Sequence, residues 1–552
     1  MDSNVIAERW KYGIICCMTL FQEKTIKLIG KSENPAAIEV LQGLLAHQDE
    51  DFRKIAFNSL FLKKTPEVYV LLFKQFLQDE EYWGQPGRIP GDRLAKLADA
   101  ALRDPSKEHQ QTAAEITMKY KLYEMLPTVV LYIESQDTQL AASMRKTLLQ
   151  LAESFFNDIM DAPAEERINF DRKREWFVMQ LAPPIKRYSV NGIDEVLQSL
   201  LIIGKKDFDT MKLITADHRS AAAKKIGELL RTGTHRSYLR VLLNYVGDPD
   251  SPAVMDVIIA ERSDALFVRK MLEVVGRDPS PEFRAALKRF QDITWLNASN
   301  PELPELVEGL EPNAIQLLQS VSMSKERIIP LYQFFLERPS VESRRVAAET
   351  VRWLVGDEIN RLLLKFVNNS DSQTTAILFK LLKSREVPGI DEIVPKLIER
   401  PDMIVRQAIY DMVPDLHVET FASRVSQMTP MSAQTIGRYV RLVDPNTFKT
   451  IDDDIKSPIP IRRASACKVA MVTGYAKDFL PRLIEIAEED DEMSVRLSAI
   501  SALSTILVKE ALETLQHLMG DRSTDIRDAV EMAVKTWAAA YRAATAESPK
   551  PA

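Results

Sequence analysis

The apolar residues between positions 479 and 534 follow a helical period in two copies of one unit. In each copy a first helix is followed by a polar turn and a second helix, and the second copy lies thirty-one residues further along the chain. The first-helix positions fall at i, i+3, i+4 and i+7 or a close variant, so they share one face. They are Leu480, Leu483, Ile484 and Ala487 in the first copy and Ala511, Leu515, Leu518 and Met519 in the second. Such a helix pair cannot bury its apolar faces alone, so the pattern predicts stacked units.

The second helix of each unit has its own pattern, an apolar residue and an arginine followed by small or apolar residues at three-residue steps. It reads Val495-Arg496-x-x-Ala499-x-x-Ala502-Leu503 in the first copy. Further matches cover residues 52–60, 343–351, 405–413 and 526–534. Beyond residue 305 the markers of successive second helices, among them Arg462, recur every 28 to 34 residues, as expected if each unit keeps its apolar face. We therefore predict an all-α fold, an α-solenoid of stacked antiparallel helix pairs without β-sheet.

These units resemble HEAT-like repeats, and most closely the short kind found in phycobilin-lyase-type repeat proteins. The resemblance covers about two thirds of the chain and concerns the fold. It implies a scaffold or adaptor that binds partners along a curved surface. Some relatives of this kind attach bilins, and a distinct HEAT-like family excises damaged DNA bases, so a bilin-lyase-like or base-excision-like enzyme is an alternative. No motif in the sequence singles out either activity.

Breaks in the pattern divide the chain into four predicted segments. Residues 1–160 form N-terminal helical repeats, beginning with one or two helices at 4–30, and residues 161–296 form degenerate repeats that contain a basic stretch. Residues 305–542 form the regular repeats, and the small, polar residues 543–552 form a disordered tail. Within these segments Pro183-Pro184 is expected to break a helix, the Gly- and Pro-rich residues 79–92 to form a loop, and residues 297–304 to form a linker or irregular turn.

An arginine recurs at one position of the second helix, directly after the polar turn. These repeat arginines are Arg53, Arg344, Arg406, Arg496 and Arg527. We expect them to bond to carboxylates or carbonyls of the turns between neighbouring repeats, with a structural role.

The sequence shows no arrangement typical of catalysis or metal binding. The six histidines lie at positions 47, 109, 218, 235, 417 and 517, and no two are separated by three or four residues on a helix. Gly30-Lys31-Ser32 resembles the end of a phosphate loop, but Thr25 stands where that loop requires its first glycine. The chain also has no G-x-S-x-G motif. We predict a protein that is not an enzyme and has no cofactor or metal.

Charge is unevenly distributed along the chain. Residues 172–240 hold fourteen Lys and Arg against seven Asp and Glu, whereas the whole chain has a net charge of −7. The candidate partner-binding residues in this basic segment are Arg219, Lys224, Lys225, Arg231, Arg236 and Arg240. They are expected either to bind an acidic protein partner or to be ordinary solvated charges. A nucleic-acid-binding solenoid that uses the same segment is an alternative, disfavoured by the net negative charge of the chain.

Composition indicates the compartment. Three cysteines in 552 residues argue against a disulfide framework, and no apolar stretch reaches the 18 residues that a membrane-spanning helix needs. We expect a cytoplasmic protein with no membrane span. The acidic run at 485–492 is expected to be a solvated turn or, alternatively, an acidic docking patch.

Overall fold

The computed structural model describes residues 23–163, 165, 167–205 and 209–546, and these residues form helices joined by turns, with no strand among them. The all-α prediction is confirmed for this part of the chain. The helices up to residue 287 are α1 (23–31), α2 (Ala36–Leu45), α3 (Glu50–Phe61), α4 (Pro66–Gln78), α5 (Glu80–Trp83), α6 (Gly91–Arg103), α7 (Lys107–Lys119), α8 (Leu126–Tyr132), α9 (Thr138–Asp161), α10 (Arg167–Lys186), α11 (Tyr188–Asn191), α12 (Asp194–Ile203), α13 (Asp209–Ala216), α14 (Ala221–Thr232), α15 (Arg236–Val246), α16 (Ala253–Glu261), α17 (Ala265–Val275) and α18 (Pro281–Leu287).

The remaining helices run to residue 546. They are α19 (Leu303–Leu306), α20 (Glu311–Ser320), α21 (Lys325–Glu337), α22 (Val341–Thr350), α23 (Asp357–Val367), α24 (Ser372–Ser384), α25 (Ile390–Ile398), α26 (Met403–Met412), α27 (Val418–Arg424), α28 (Pro430–Val443), α29 (Thr447–Ile455), α30 (Pro460–Thr473), α31 (Leu480–Glu489), α32 (Met493–Leu503), α33 (Lys509–Leu518) and α34 (Thr524–Ala546). Short 3₁₀ helices cover Tyr123–Met125, Val351–Trp353, Pro414–Leu416, Val425–Gln427 and Ala476–Phe479.

The described chain forms two compact units. The first contains the described residues up to Val274 with Pro279–Trp295 and Ser320–Ser322, and the second contains Val275–Asp278, Leu296–Gln319 and the described residues from Met323 onward. In the first unit α2 packs on α3, α6 packs on α7, and α12 packs on the long helix α9. The four segments predicted from the sequence stay a prediction.

The second unit contains seven helix pairs, from α21 and α22 to α33 and α34. The second helices α22, α24, α26, α28, α30, α32 and α34 form one row, in which each helix packs on the next. Their first residues lie 27 to 33 residues apart, close to the predicted repeat spacing. Small residues that the sequence pattern places on the packed face are buried, including Ala347, Ala499 and Ala502. This row is the HEAT-like repeat arrangement that the sequence predicted.

Arginine side chains stabilise the carboxyl ends of several helices. The last carbonyls of a helix have no partner within the helix and carry a partial negative charge, so a guanidinium is favoured there. Such bonds run from Arg240 to Ile202 and Gly204, from Arg262 to Leu230 and Gly233, from Arg289 to Tyr245 and Val246, from Arg385 to Arg352 and Leu354, and from Arg441 to Thr473 and Gly474.

Three local predictions were wrong. Helix α10 continues through Pro183 and Pro184 and ends at Lys186. Each proline lacks the N–H that would bond to the carbonyl four residues earlier, and the helix ends within one turn of them. Helix α34 reaches Ala546, so residues 543–546 are not a disordered tail; their sequence Ala-Ala-Thr-Ala favours helix. The predicted loop at 79–92 is wrong only at its ends, where α5 covers Glu80–Trp83 and α6 begins at Gly91; residues 84–90 form no helix, as predicted. Of the predicted helices at 4–30, residues 4–22 lie outside the described chain, as does the tail beyond residue 546.

Candidate partner-binding surfaces

The repeat arginines contact the turns of their own and the following repeat. Arg344 Nε donates to Asp371 Oδ2 (2.9 Å), in the turn before α24, and its Nη1 donates to the carbonyls of Arg338 and Pro339. Arg496 Nε donates to the Ala487 carbonyl, and its Nη2 donates to Asp521 Oδ2 (2.5 Å). Each of these arginines therefore joins two consecutive turns of the row.

The other three repeat arginines have fewer such bonds. Arg527, on the last second helix, donates to the carbonyls of Asp521 and Arg522. Arg406 Nε donates to the Ile398 carbonyl (3.1 Å), and the next turn has Thr429 as its helix cap in place of an aspartate. In the first unit Arg53 Nη1 lies 3.5 Å from Asp79 Oδ2, and its guanidinium stacks over the Tyr82 ring.

The sequence pattern missed Arg463, which has the most complete set of these contacts. Its Nε and Nη2 donate to the two carboxylate oxygens of Asp490 (2.7 and 2.9 Å), and its Nη1 donates to the Ser457 carbonyl. The marker chosen from the sequence was the neighbouring Arg462, which is exposed and lies 3.8 Å from Asp454. The signal that gives the register is Pro460, the first residue of α30, because Arg344, Arg463 and Arg496 each lie three residues after a helix start.

Hydrogen bonds hold the aspartates of these turns ionised. The bond from Arg463 lowers the pKa of Asp490 below its usual value, with a smaller lowering from the backbone N–H of Glu492. The backbone N–H of Ser523 and then the Arg496 guanidinium lower the pKa of Asp521. An ionised carboxylate accepts stronger hydrogen bonds, so the arginine contacts are charge-assisted.

The six candidate residues of the basic segment fall into two groups of three. Lys225 binds Asp194 (3.1 Å) and Glu228, Arg231 binds Glu261 (2.9 Å), and Arg240 donates to the carbonyls at the end of α12. Burial and then the nearby Arg174 lower the pKa of Arg240 to about 10. These contacts place Arg240 within the packing of the first unit rather than on a free surface.

The second group has no such contacts. Arg219, Lys224 and Arg236 are exposed, and their side chains have no hydrogen bond or ion pair with another described residue. Arg219 lies in the turn before α14, Lys224 in the first turn of α14, and Arg236 at the start of α15. Of the aromatic residues near this segment, Phe177 is buried, while Trp176 is 37% exposed.

Exposed apolar side chains recur where the second helices of the second unit begin. They form a series that we call the apolar edge, and each lies within two residues of the first residue of its helix. Its members are Val341, Met403, Ile404, Met431, Ile459, Ile461 and Met493. Their exposed fractions run from 38% for Met493 to 81% for Met431 and Ile461. Because the second helices pack side by side, these residues lie along the edge of the row that is formed by the amino-terminal ends of its helices.

The acidic run lies beside one part of this edge. It spans the end of α31 and the turn before α32, and its Asp490 is bonded to Arg463 in the same turn of α30 that holds Ile461. Glu489, Asp491 and Glu492 are exposed and form no ion pair with a described residue, and Glu488 lies 3.6 Å from His517. The turn therefore combines one buried structural carboxylate with several free ones.

A cavity of about 290 Å³ lies elsewhere in the second unit, among α25, α27 and α28. Its walls include Val394, Ile398, Leu416, Met428 and Ile436, and an ion pair between Asp415 and Arg424 (2.7 Å) is among the lining residues. The cavity is mainly apolar and has no group of side chains arranged for acid–base or nucleophilic chemistry.

Neither metal-binding clusters nor membrane-spanning helices occur in the described part of the chain. No three His, Cys, Asp or Glu residues there are placed to hold a metal ion. None of the helices within residues 23–546 is both long and apolar enough to cross a membrane. Burial raises the pKa of the Cys467 thiol to about 12, which keeps it protonated and unreactive at neutral pH.

Comparison with known proteins gives no family assignment. No family model matches the chain, and no curated protein matches its sequence. Among structures, the chain is similar to a homology model of the full-length AP-3 complex, with a TM-score of 0.32 and 9% identity over 95% of both chains. It is also similar to Kap95p in a structure with RanGDP (TM-score 0.23, 12% identity, 93% of this chain and 74% of that chain) and to importin beta (0.24, 13%, 94% and 67%). All three TM-scores are below 0.5, so the HEAT-like repeat assignment rests on the helix pairs themselves.

Proposed function

We propose that this chain is a non-catalytic scaffold that binds a partner protein along the row of second helices in its second unit. The observation that carries this proposal is the apolar edge. Single exposed apolar residues are common on protein surfaces, but here they recur at or next to the first residue of five second helices, α22, α26, α28, α30 and α32. Exposed apolar residues at the starts of successive packed helices form an extended apolar strip, and such strips are typical of protein interaction sites.

The composition of the edge supports a protein partner. Three of its seven members are methionines, whose flexible thioether chains adapt to different surfaces. The edge is a strip rather than an enclosed pocket, which suits a macromolecule better than a small substrate. Among the described residues, no group of side chains supports the bilin-lyase-like or base-excision-like alternative. We place the binding in the cytoplasm, the compartment that the sequence predicts.

The proposal is tested with a double variant in which both Ile404 and Ile461 are replaced by Asp. Partners are captured on the tagged variant and on the tagged wild type. Both side chains are exposed, so the variant should keep the helical circular-dichroism spectrum of the wild type and lose the main captured protein. The matched control is Val190→Asp, because Val190 is an 88% exposed apolar residue of the first unit. Capture of the same protein by the folded double variant would refute the proposal.

The free cations of the basic segment support a second candidate, an acidic protein segment bound near α14 and α15. Arg219, Lys224 and Arg236 are available for such a partner, since none of their side chains has a hydrogen bond or ion pair with another described residue. Long nucleic acid would be repelled by the net charge of −7, which favours a protein over nucleic acid at this surface.

Reversal of these three residues to Glu tests the second candidate. The triple variant should fold and lose binding to an acidic partner, whereas adding Arg240→Glu should destabilise the first unit by removing the helix-end bonds. Nucleic-acid binding would instead show a steep salt dependence that is uniform across sequences. If the folded triple variant captures every partner of the wild type, these residues are ordinary solvated charges.

A further inference from the structure

We propose that the part of the apolar edge at α30 and α32 binds a basic amphipathic helix of the partner protein. The docking surface consists of Ile459, Ile461 and Met493 with the carboxylates of Glu489, Asp491 and Glu492, which form no ion pair with a described residue. The inference rests on the proposed function and adds to it the charge and the secondary structure of the segment that is bound.

The apolar side chains belong to the first turns of two helices that pack on each other, α30 and α32. Ile461 lies in the first turn of α30, two residues before Arg463, and Arg463 bonds to Asp490 in the turn that leads to α32. Met493 is the first residue of α32, and its sulfur lies 3.8 Å from the Ser523 hydroxyl of the next repeat. The Arg463–Asp490 contact therefore holds the first turn of α30, which carries Ile461, against the turn that leads to Met493.

The negative charge of residues 488–492 determines which kind of partner segment can bind beside these apolar residues. Of the five acidic residues at 488–492, Asp490 is paired with Arg463, and Glu489, Asp491 and Glu492 form no ion pair with a described residue, although Arg463 is close enough to attract Asp491 and Glu492 electrostatically. An apolar segment without cations would bury the edge while leaving those carboxylates near a water-poor interface, and an acidic segment would be repelled. Lysine or arginine flanking the apolar residues of the partner would neutralise them.

The opposite choice, an anionic partner attracted by the helix N-terminus, is disfavoured. A helix N-terminus carries about half a positive charge. At α32 that charge is already met by carboxylates, since Asp490 accepts from the Glu492 backbone N–H and Glu492 precedes the first residue of the helix. The five residues that precede Met493 in the chain, 488–492, are all acidic.

The spacing of the row favours a helical partner. Packed helices lie about 8–10 Å apart, so Met431, Ile461 and Met493 should follow one another at roughly that distance. In an α-helix, residues seven positions apart lie on one face about 10.5 Å apart. A partner helix with apolar residues at i and i+7, flanked by Lys or Arg, can therefore contact two successive repeats.

The probe for this proposal is a fluorescein-labelled 18-residue peptide with Leu at the positions of one helix face and Lys elsewhere. Two further peptides serve as comparisons: one replaces every Lys with Glu, and the other replaces every Leu with Ser. Fluorescence anisotropy with the full chain should show binding of the Leu/Lys peptide that weakens as salt rises. The other two peptides should bind at least about tenfold more weakly.

Two variants of the protein locate the binding. Ile461→Ser removes apolar contact, and the triple variant Glu489→Gln, Asp491→Asn, Glu492→Gln removes charge while leaving the Arg463–Asp490 pair intact. Each should weaken binding of the Leu/Lys peptide about tenfold, roughly the effect of one lost apolar contact. The matched controls are Val190→Ser and the triple neutralisation of the exposed Glu349, Glu358 and Glu386 to Gln.

The outcomes separate this inference from the proposed function. The inference fails if the Leu/Lys peptide does not bind, or if it binds no more tightly than the Leu/Glu peptide. It also fails if the Leu/Lys peptide binds both edge variants with the same affinity as the wild type. If capture of a cellular partner is still lost in the Ile404/Ile461 variant, the scaffold proposal stands with a partner of different chemistry. If the peptide binds as expected and that capture is unchanged, the scaffold proposal fails instead.

Discussion

At the scale of single residues, Arg463 and Arg496 each join two turns that are far apart in sequence. Each makes a charge-assisted bond to an aspartate of the following turn and a further bond to a carbonyl of its own repeat. Both guanidinium groups are largely buried, with side-chain exposures of 14% and 15%. Solvent therefore screens these contacts less than an ordinary surface ion pair.

The first prediction concerns the removal of these side chains. Arg463→Ala and Arg496→Ala should each lower the free energy of unfolding by about 1.5–3 kcal/mol, because each leaves a partly buried carboxylate without its partner. The neighbouring Arg462→Ala should change it by less than about 0.5 kcal/mol, since Arg462 is exposed. Urea unfolding followed by circular dichroism measures all three. Unchanged stability together with lost partner binding would make the repeat arginines functional instead of structural.

A second prediction follows from the lowered pKa of Asp490. A carboxyl group whose pKa is lower in the folded state stabilises the fold above its unfolded pKa, about 3.9, and this contribution is lost as the pH falls through the folded pKa. Asp490→Asn should therefore be less stable than the wild type at neutral pH. Between about pH 5 and about pH 3 its urea midpoint should fall less than that of the wild type.

The exposed carboxylate Asp453 provides the control for this measurement. Asp453→Asn should reproduce the pH dependence of the wild type. If the Asp490 and Asp453 variants lose stability in parallel on acidification, the Arg463–Asp490 pair does not contribute to acid sensitivity.

The residues of the turns illustrate what sequence patterns can and cannot predict. Helix periodicity, repeat spacing and the repeat arginines were accessible because they are local in sequence. Arg463 was missed because the apolar-Arg pattern has two adjacent arginines at 462 and 463, and only the contact with Asp490 distinguishes them. The bonds of Arg240 were not predictable either, since its carbonyl partners lie 36 and 38 residues earlier.

At the scale of helices, α28 and α30 approach each other closely at Gly437. Gly437 faces the backbone of Val472, and a Cβ built on Gly437 would lie 2.7 Å from the Val472 carbonyl oxygen. A contact this short with backbone cannot be relieved by a side-chain rotation, so the helices would have to separate. The glycine permits their spacing, although glycine is a poor helix former.

The third prediction compares two helix glycines with opposite surroundings. Gly437→Ala should destabilise the protein, because separating α28 from α30 costs more than the roughly 1 kcal/mol that alanine gains in helix propensity. Gly43→Ala, within α2, should stabilise it by about 0.5–1 kcal/mol, since a Cβ there meets no atom within 4 Å. Thermal unfolding of both variants tests the pair. Equal stabilisation would mean that α28 and α30 can adjust without loss.

The apolar edge also belongs to the scale of helices, and it was absent from the sequence predictions. Its members are hydrophobic residues at helix starts, and periodicity alone counts such residues toward the core. The sequence pattern at 405 begins two residues after Met403, so the exposed positions lie just outside the repeat motif. Their exposure depends on how far each turn projects beyond the row, which is a property of the packed helices.

At the scale of the whole molecule, the row of second helices implies that stability in the second unit depends on neighbours. Each helix of the row packs on the preceding and following ones, so the stability of a repeat depends mainly on its own helices and its two interfaces. Only one side of the last described repeat faces another repeat of the row. The long helix α34 covers that repeat: Trp537 is buried, its ring N–H donates to the Ile506 carbonyl (2.7 Å), and Tyr541 stacks on it.

The fourth prediction is that damage at this end stays local. Trp537→Ala should remove about 3–5 kcal/mol of packing from the last repeat, because it deletes a large buried side chain and its hydrogen bond. Hydrogen exchange measured by mass spectrometry should accelerate in α32, α33 and α34 and remain unchanged in α22 and α24. Tyr541→Ala should have a much smaller effect, since Tyr541 is 47% exposed. Equal acceleration from α22 to α34 would show that the second unit unfolds as one cooperative block. In that case nearest-neighbour coupling would not describe it, and a partner bound at α30 and α32 would stabilise every repeat of the unit equally.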